Sequence, residues 1–450
     1  MTMVTNRLID QMKVGDSVSV ERVLQLHDMR AWTAAFGADT DREGAIAILT
    51  ATLTALVGSA LPGPGSTIRS VTIRRSQGAL ANLINTPVTI SLTVREVKAS
   101  TNVVTLSGEV ATLAGKPVIS AVLEVAAPST AMQREVAEHR LDGLLVQCRT
   151  EKPMVTGIVH PCSVESLQGA VEAGHAGLII PVMFGPEKEL HRLADVAGLH
   201  LDGYRLVDTS GPEDSASKAA MEAGRGALQA LMKGSLHTDV LLHAVLQTDA
   251  NLRTGRMVSH CVLVSAPTYA RRFVISDVAL NIAPNTDQKR DICQNAIGFA
   301  QAMGIATPKV AILAAVETVN TRMAATLDGA ILAKMADRGQ IVGGLVDGPL
   351  DLDAAIDAEA ARIKQIRSPV AGLADVLIAP NIEAGNMIYK NLTFMADAQT
   401  ASLVVGARVP IILTSRADTP DMRRFSAAAA VLYAAAIAKD PRLLTPEVAR

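Results

Sequence analysis

Aromatic side chains are scarce in this chain: six Phe, four Tyr and one Trp make up 2% of 450 residues. A protein that reads bases by stacking needs more of them. Charge of one sign is also missing, since 42 Lys plus Arg stand against 44 Asp plus Glu. No excess field is there to recruit nucleic acid or an anionic membrane. The four cysteines, Cys148, Cys162, Cys261 and Cys293, are dispersed and form no CxxC or metal-spaced set. They read as reduced, mostly buried thiols in a cytoplasmic protein that binds no metal. The first residues, MTMVTNRLIDQMKVGD, lack an apolar signal core, and no stretch of membrane-spanning length is free of charge.

What the chain does have is Ala, Val, Leu and Ile in abundance, as helices packed on buried sheets require. Its length predicts two or three domains with large cores. The most informative stretch runs from Asp375 to Asp421. There Val376–Ala379 and Val409–Leu413 read as buried strands. The first is stopped by Pro380 and leads through Asn381–Asn386 into a helix. The second runs straight into Thr414-Ser415-Arg416-Ala417-Asp418-Thr419-Pro420-Asp421. Ligands of open α/β sheets sit at carboxyl ends of strands, so both loops are expected at a site. A Ser-Arg pair after a strand is, taken alone, a solvated loop or a helix cap.

Residues 1 to about 130 differ from the rest. Helices are expected at His27–Phe36 and Ile46–Ala60, followed by the turn Leu61-Pro62-Gly63-Pro64-Gly65. SVTIRR, PVTISLTVREVKAS, NVVTLSGEVATLAGK and PVISAVLEVAAP then alternate like strands. They predict an antiparallel meander wrapped around the second helix, with a linker at Ala127–Thr130.

From Gln133 onward strands and helices alternate, which predicts a parallel sheet. Val155–Pro161 is a strand, Ser163 a helix N-cap, and Gly177–Pro186 the next strand. His160 and His175 read as structural. A helix over Ala216–Leu231 is expected to end at Met232-Lys233-Gly234-Ser235, with Leu236-His237-Thr238 opening another. Lysine, glycine and hydroxyl residues at a helix N-terminus can cradle a phosphate, because free N–H groups and the helix dipole favour an anion. The same residues also make an ordinary cap. Arg253 and Arg256, in NLRTGRMVSH, can neutralise phosphates or form rim ion pairs. Further on, a helix is expected over Asp351–Ile366, and the Ala-rich Met422–Ala438 helix should be buried or interfacial.

The N-terminal stretch resembles the hot-dog domain of MaoC-like, R-specific enoyl-CoA hydratases. The matching pieces are Val14-Gly15-Asp16, Phe36-Gly37, LTATLTALVGSALPGPG and the strands beyond. That family's active loop carries an Asp and a His. Here the loop is cut to Ala38–Gly44, its Asp is Asp39, and no histidine lies between His27 and His139. Hydration needs a base for water and an acid at the α-carbon, so the resemblance implies a retained fold with degenerate chemistry.

Residues from about 135 to 450 resemble the phosphate acetyltransferase and phosphate butyryltransferase family. LMKGSLHT, LRTGRMVSH, ISDVALNIAPN, VDGPLDLDAAI, VLIAPNIEAGNMIYK and GARVPIILTSRADT occur in the family's order. The combination is similar to bifunctional enoyl-CoA hydratase/phosphate acetyltransferases. The resemblance implies a two-domain α/β acyltransferase fold, like the isocitrate/isopropylmalate dehydrogenases, preceded by an α+β hot-dog domain. Its domain I would be 135–253 plus 405–450, with domain II (254–404) inserted and residues 1–130 ahead of both. It implies transfer of an acyl group (acetyl to butyryl) between coenzyme A and phosphate in a homodimer or larger homo-oligomer. Acyl-CoA and phosphate are the partners, and no cofactor is called for beyond the coenzyme A thioester. Ser415 and Arg416 match the family's active loop, and Asp421, with Asp418 competing, stands for its base. Lys233, His237, Thr238, Arg256, Asn386 and Lys390 fall in matching motifs as phosphate or CoA contacts. The acetyltransferase branch has an arginine where Phe394 stands here. An acyl-CoA-sensing regulator without turnover is the alternative. A decarboxylating dehydrogenase would need an acidic metal cluster and a nucleotide loop, and the sequence shows neither.

Overall fold

Along Pro87–Lys98 every second residue is buried, from Val88 to Val94. This is the pattern of a strand with one face on a core. Such strands build the first part of the computed structural model, which describes residues 2–24, 28–29, 32–33, 42–76, 83, 86–113, 115–136, 141–413 and 418–444. Most of the helix expected at His27–Phe36, Asp39, and the Ser415–Arg416 pair lie outside the described residues. The chain divides into two units, residues 1–138 and 139–450.

In the first unit β1 (Thr2–Thr5), β2 (Ser17–Val23), β3 (Thr67–Arg75), β4 (Pro87–Lys98), β5 (Val103–Thr112), β6 (Pro117–Ala126) and β7 (Gln133–Val136) follow in order. Five of them form an antiparallel sheet in the order β2-β4-β5-β6-β3. The helix Arg42–Ser59 packs on it through Leu49, Leu53 and Val57, which are fully buried with Ile90, Leu92, Leu106 and Val110. These helix residues recur every fourth position and so share one face. Gly108 makes room for that face, because a Cβ there would lie 2.8 Å from a Leu53 methyl.

The linker expected at Ala127–Thr130 belongs to this unit instead. Asn102 donates to the Ala127 carbonyl at 2.7 Å, and buried Asn6 donates to the Thr130 carbonyl at 2.9 Å. β7 then pairs antiparallel with β1. An apolar composition without turn residues would have been needed to see this return from sequence, since the Pro-Ser-Thr run imitates a linker.

The second unit is built on one eleven-stranded sheet. Its strands are β8 (Met154–Val159), β9 (Ile179–Gly185), β10 (Arg205–Asp208), β11 (Ala230–Lys233), β12 (Ser259–Ser265), β13 (Phe273–Ser276), β14 (Lys309–Leu313), β15 (Leu345–Leu350), β16 (Val376–Ile378), β17 (Gln399–Val405) and β18 (Ile411–Ile412). They lie in the order β10-β9-β8-β11-β18-β17-β12-β13-β16-β14-β15. β10, β9, β8, β11 and β18 run parallel to one another, as do β13, β16, β14 and β15. Antiparallel steps at β18–β17, β17–β12 and β12–β13 join the two groups. Every residue of β12 is buried, as a central strand covered on both faces must be.

Helices cover both faces of this sheet. On one face the helix Pro420–Lys439 buries Phe425 through Val431 and Tyr433, in one core with helices Val164–His175 and Thr286–Ala302. Its start is set by Thr419, whose hydroxyl accepts from Met422 N, with Pro420 following.

Three expectations are corrected here. Residues 216–231 are not one helix: Pro212–Gly224 is a helix and Ala230–Lys233 is β11. A run of small apolar residues suits either form, and sheet pairing with β8 decides it. Residues 351–366 form two short helices, Leu352–Ile356 and Ala358–Ile363, because Asp357 is extended and caps the second. β16 and β18 run in opposite directions, since three antiparallel steps separate them. Their carboxyl termini therefore point to opposite ends of the strands. No helix among the described residues is long and apolar enough to cross a membrane.

Candidate active site

β11 pairs in parallel register with β8 on one side and β18 on the other, placing Lys233 beside Val159 and Met232 beside Ile412. The turn after β11 then folds onto the end of β8. Gly234 N donates to the Val159 carbonyl at 2.9 Å, and Ser235 N to the His160 carbonyl at 2.8 Å. The approach is so close that a Cβ on Gly234 would sit 2.5 Å from the His160 oxygen and 2.6 Å from the Val159 oxygen. Only glycine fits between those carbonyls. His160 itself adopts φ +54 to make the turn, and its Nδ1 lies 3.3 Å from the Ser215 hydroxyl. This agrees with its structural reading.

A cleft of about 800 Å³ opens at this strand end. Lys233, Gly234, Ser235, Leu236, His237 and Thr238 line one wall. Cys162, Ser163, Glu165, Ser166, Gly169 and Arg423 line the other, with Met232 also contributing. Lys233 is half-buried and donates from Nζ to the carbonyls of Gly234 and Leu236 at 3.3 and 3.2 Å. The Ser166 and Ser235 hydroxyls meet across the cleft at 3.3 Å.

Two helices begin at this cleft. Val164–His175 is capped by Ser163, whose hydroxyl accepts from Ser166 N. Thr238–Leu246 is different, because the side chain of its N-cap, His237, accepts no bond from the helix. Its first N–H groups lack that partner, and the helix dipole adds positive character there.

The thiol of Cys162 lies 3.6 Å from His160 Nδ1. Burial, with a lesser contribution from Glu189, pushes it up to about 11, so it stays protonated near neutrality. Glu165 is held below the usual carboxylate range by its own backbone N–H, then by the Ser163 hydroxyl, with Arg423 adding a smaller effect.

Leu413 and Asp418 are the described residues that flank Ser415 and Arg416. Leu413 follows β18, and its carbonyl accepts from the Ser402 hydroxyl at 3.0 Å. On the far side, the Asp418 carbonyl accepts from Arg423 Nη2 at 3.0 Å. Asp421 sits in the first turn of Pro420–Lys439, half-buried and ion-paired with Arg424.

Asn386 and Lys390 lie on the helix Ile382–Phe394 and do not line the cleft. Asn386 donates to the Val278 carbonyl at 2.9 Å. Gly385 brings this helix against the Asp277 carbonyl, which a Cβ would approach to 2.2 Å. Lys390 lies over the rings of Tyr389 and Phe394 at 4.7 and 5.6 Å. Tyr389 follows Gly385 by one turn, about 6 Å along the helix. It is buried and pushed up to about 12, first by burial and then by the Asp418 carboxylate.

Arg256 also lies apart from the cleft lining. Its Nη2 donates to the Leu443 carbonyl at 2.9 Å, and burial lowers its pKa despite nearby Tyr433 and Asp291.

Two residues were not picked out from sequence. Arg423 reads as one more charge on an Ala-rich helix, and only the fold turns it toward the cleft. His260 is buried within the influence of Asp277 and Lys390, and neither ring nitrogen finds a hydrogen-bond partner among the described residues. The signal for it was a histidine inside an otherwise apolar strand.

The family model for phosphate acetyl/butaryl transferase matches residues 209–431. A phosphate acetyltransferase of Rhizobium meliloti is 49% identical over 298 residues, covering 66% of this chain and 94% of the relative. A phosphate butyryltransferase of Clostridium acetobutylicum is 38% identical over 268 residues, covering 60% of this chain and 89% of the relative. Among solved structures, a branched-chain phosphotransacylase from Enterococcus faecalis V583 matches with a TM-score of 0.56 and 29% identity. That match covers 62% of this chain and 99% of that one. A phosphotransacetylase from Streptococcus pyogenes shares the fold, with a TM-score of 0.57 and 21% identity over 66% of this chain and 98% of that one.

His260 gives a pH signature. Burial is the main cause that moves it from 6.5 to about 4, with Lys390 pushing down and Asp277 pushing back. Between these values the unfolded chain binds a proton that the folded chain refuses, so stability falls as pH falls. Chemical denaturation of wild type and His260→Gln from pH 7 to 4.5 should show a shallower decline in the variant. The difference in slope is at most about 1.4 kcal/mol per pH unit. Parallel declines would show that His260 is charged or solvated in the folded protein.

Proposed function

This chain belongs to the phosphate acetyl/butaryl transferase family, and we propose that it interconverts an acyl-CoA plus phosphate with an acyl phosphate plus free CoA. The observation that carries the reading is the cleft at the ends of β8 and β11. Its lysine, hydroxyls and uncapped helix start suit an oxyanion.

In the acyl-phosphate-forming direction a phosphate oxygen attacks the thioester carbonyl. The C–S bond breaks and the thiolate leaves, taking up a proton to become CoA. In the reverse direction the thiol needs a base. Asp421 fills that role in this proposal, and its place in a helix first turn keeps it beside the active loop. Asp418 competes, with its influence on Tyr389 as support for its nearness to the same loop. Ser415 and Arg416 meet the developing oxyanion and the phosphate. Lys233, His237 and Thr238 contact phosphate or CoA from the cleft wall.

The chemistry is redox-neutral, so the proposal calls for no cofactor besides the coenzyme A thioester. Most of the acceleration comes from alignment of two substrates and fixed positive dipoles. Acetyl to butyryl chains are the proposed range. Arg256, Asn386 and Lys390 keep weaker claims as substrate contacts, because each is bonded or stacked elsewhere.

The strand order supports a two-domain reading of the second unit, resembling the isocitrate/isopropylmalate dehydrogenases. Residues 254–404 supply β12 to nearly all of β17, and β18 then returns to lie beside β11. Residues 135–253 and 405–450 form the other domain in this reading. For the first unit we propose a MaoC-like hot-dog fold of degenerate hydratase chemistry. Its sheet on a buried helix supports this. A homodimer or larger homo-oligomer completes the proposal.

The test is phosphate-dependent CoA release from acetyl-, propionyl- and butyryl-CoA. Wild type should release CoA only with phosphate, and Arg416→Ala should lose at least about a hundredfold, as expected for a removed transition-state donor. No release from any thioester by folded wild type would contradict the reading. In the same preparation, crotonyl-CoA hydration should be absent; hydration abolished by Asp39→Ala would mean an active first unit.

A further inference from the structure

We propose that Arg423 is a binding residue for the phosphoanion of a substrate at this cleft, an assignment that rests on the acyltransferase reading above. Its stem crosses Gly169 so closely that a Cβ there would lie 3.2 Å from Arg423 Cδ. Its Nη1 donates to the Glu165 carbonyl at 3.2 Å and its Nη2 to the Asp418 carbonyl at 3.0 Å. A guanidinium carries five donors in one plane. Two bonds to carbonyls of different segments fix that plane and leave further donors on a side chain that lines the cleft.

Both bonded partners are neutral. Among the described residues no carboxylate forms an ion pair with Arg423, whereas its neighbour Arg424 is paired with Asp421. Lys233 on the opposite wall also donates to peptide oxygens, the carbonyls of Gly234 and Leu236. Two cations thus line one cleft, together with the Ser166 and Ser235 hydroxyls and the uncapped start of Thr238–Leu246. Glu165 is the one carboxylate among the described lining residues; its own N–H and Ser163 hold it ionised, with Arg423 adding to this. Two cations against one carboxylate leave a net positive wall that favours an anion, and the planar fork suits the paired oxygens of a phosphate.

Inorganic phosphate and the phosphates of coenzyme A share this chemistry. Steady-state kinetics of the full chain with each substrate varied will tell them apart. Arg423→Ala should raise KM for one phosphate-bearing substrate about tenfold to a hundredfold, the scale of one charge-assisted hydrogen bond. kcat should stay within about threefold, and Arg423→Lys should recover part of the loss. A rise confined to inorganic phosphate assigns Arg423 to that substrate. A rise for acyl-CoA, with lost preference over the dephospho-CoA thioester, assigns it to coenzyme A.

Unchanged KM values overturn the proposal. So does a fall in kcat and thermal midpoint at constant KM, the mark of a mere tie between Glu165 and Asp418. Calorimetric binding of phosphate and of CoA reads the site without turnover, so failure of the acyltransferase reading is seen separately. Equal affinities in wild type and Arg423→Ala would overturn the assignment there.

Discussion

The seating of the Gly234 peptide on the carbonyls of Val159 and His160 is the constraint on which the cleft depends. It ties the turn after β11 to the turn after β8 through two backbone bonds, at 2.9 and 2.8 Å. Because the contact is between main chains, it holds whatever side chains do around it. It also fixes where Lys233 leaves the sheet and where the helix Thr238–Leu246 begins. Parallel pairing of β18 with β11 then brings the chain to the same end. Asp418 is tied to the cleft-lining Arg423 through its carbonyl.

A second contact of the same kind organises the opposite edge of the sheet. Gly385 lets the helix Ile382–Phe394 touch the Asp277 peptide, and Asn386 secures it to Val278. One turn along the same helix, Tyr389 feels the Asp418 carboxylate. Two glycines from separate sequence motifs therefore serve one purpose. Each permits a close backbone approach that seats a helix or turn on a neighbouring strand end. His260 lies under the Asp277 end of this arrangement, kept neutral by burial. A shift of this helix would be felt at both edges.

How much of this was legible in the sequence depended on the physical range of each signal. The first unit was readable because β4, β5 and β6 alternate and Leu49, Leu53 and Val57 recur every four residues. The buried strand VTGIV and the cap at Ser163 were readable for similarly local reasons. β11 was not, since Ala230–Lys233 is a strand only by pairing with β8 and β18. The direction of β16 relative to β18 was equally hidden, because it is set by three antiparallel steps spread over the sheet. The KGS turn was readable as either an anion cradle or an ordinary cap, and the residues packed opposite it were not readable at all. Ser166 and Arg423 are 257 positions apart, and only the packing of Pro420–Lys439 on Val164–His175 joins them.

The most direct test of the central claim, that the β8–β11 strand end holds the substrates, is a crystal structure of the full chain with coenzyme A and phosphate. The account predicts an oxyanion within hydrogen-bond reach of Lys233 and the first N–H groups of Thr238–Leu246, with the CoA sulfur near Ser415. Both ligands bound at the Asp277 edge, beside His260 and Lys390, with the β11 cleft holding neither, would contradict it.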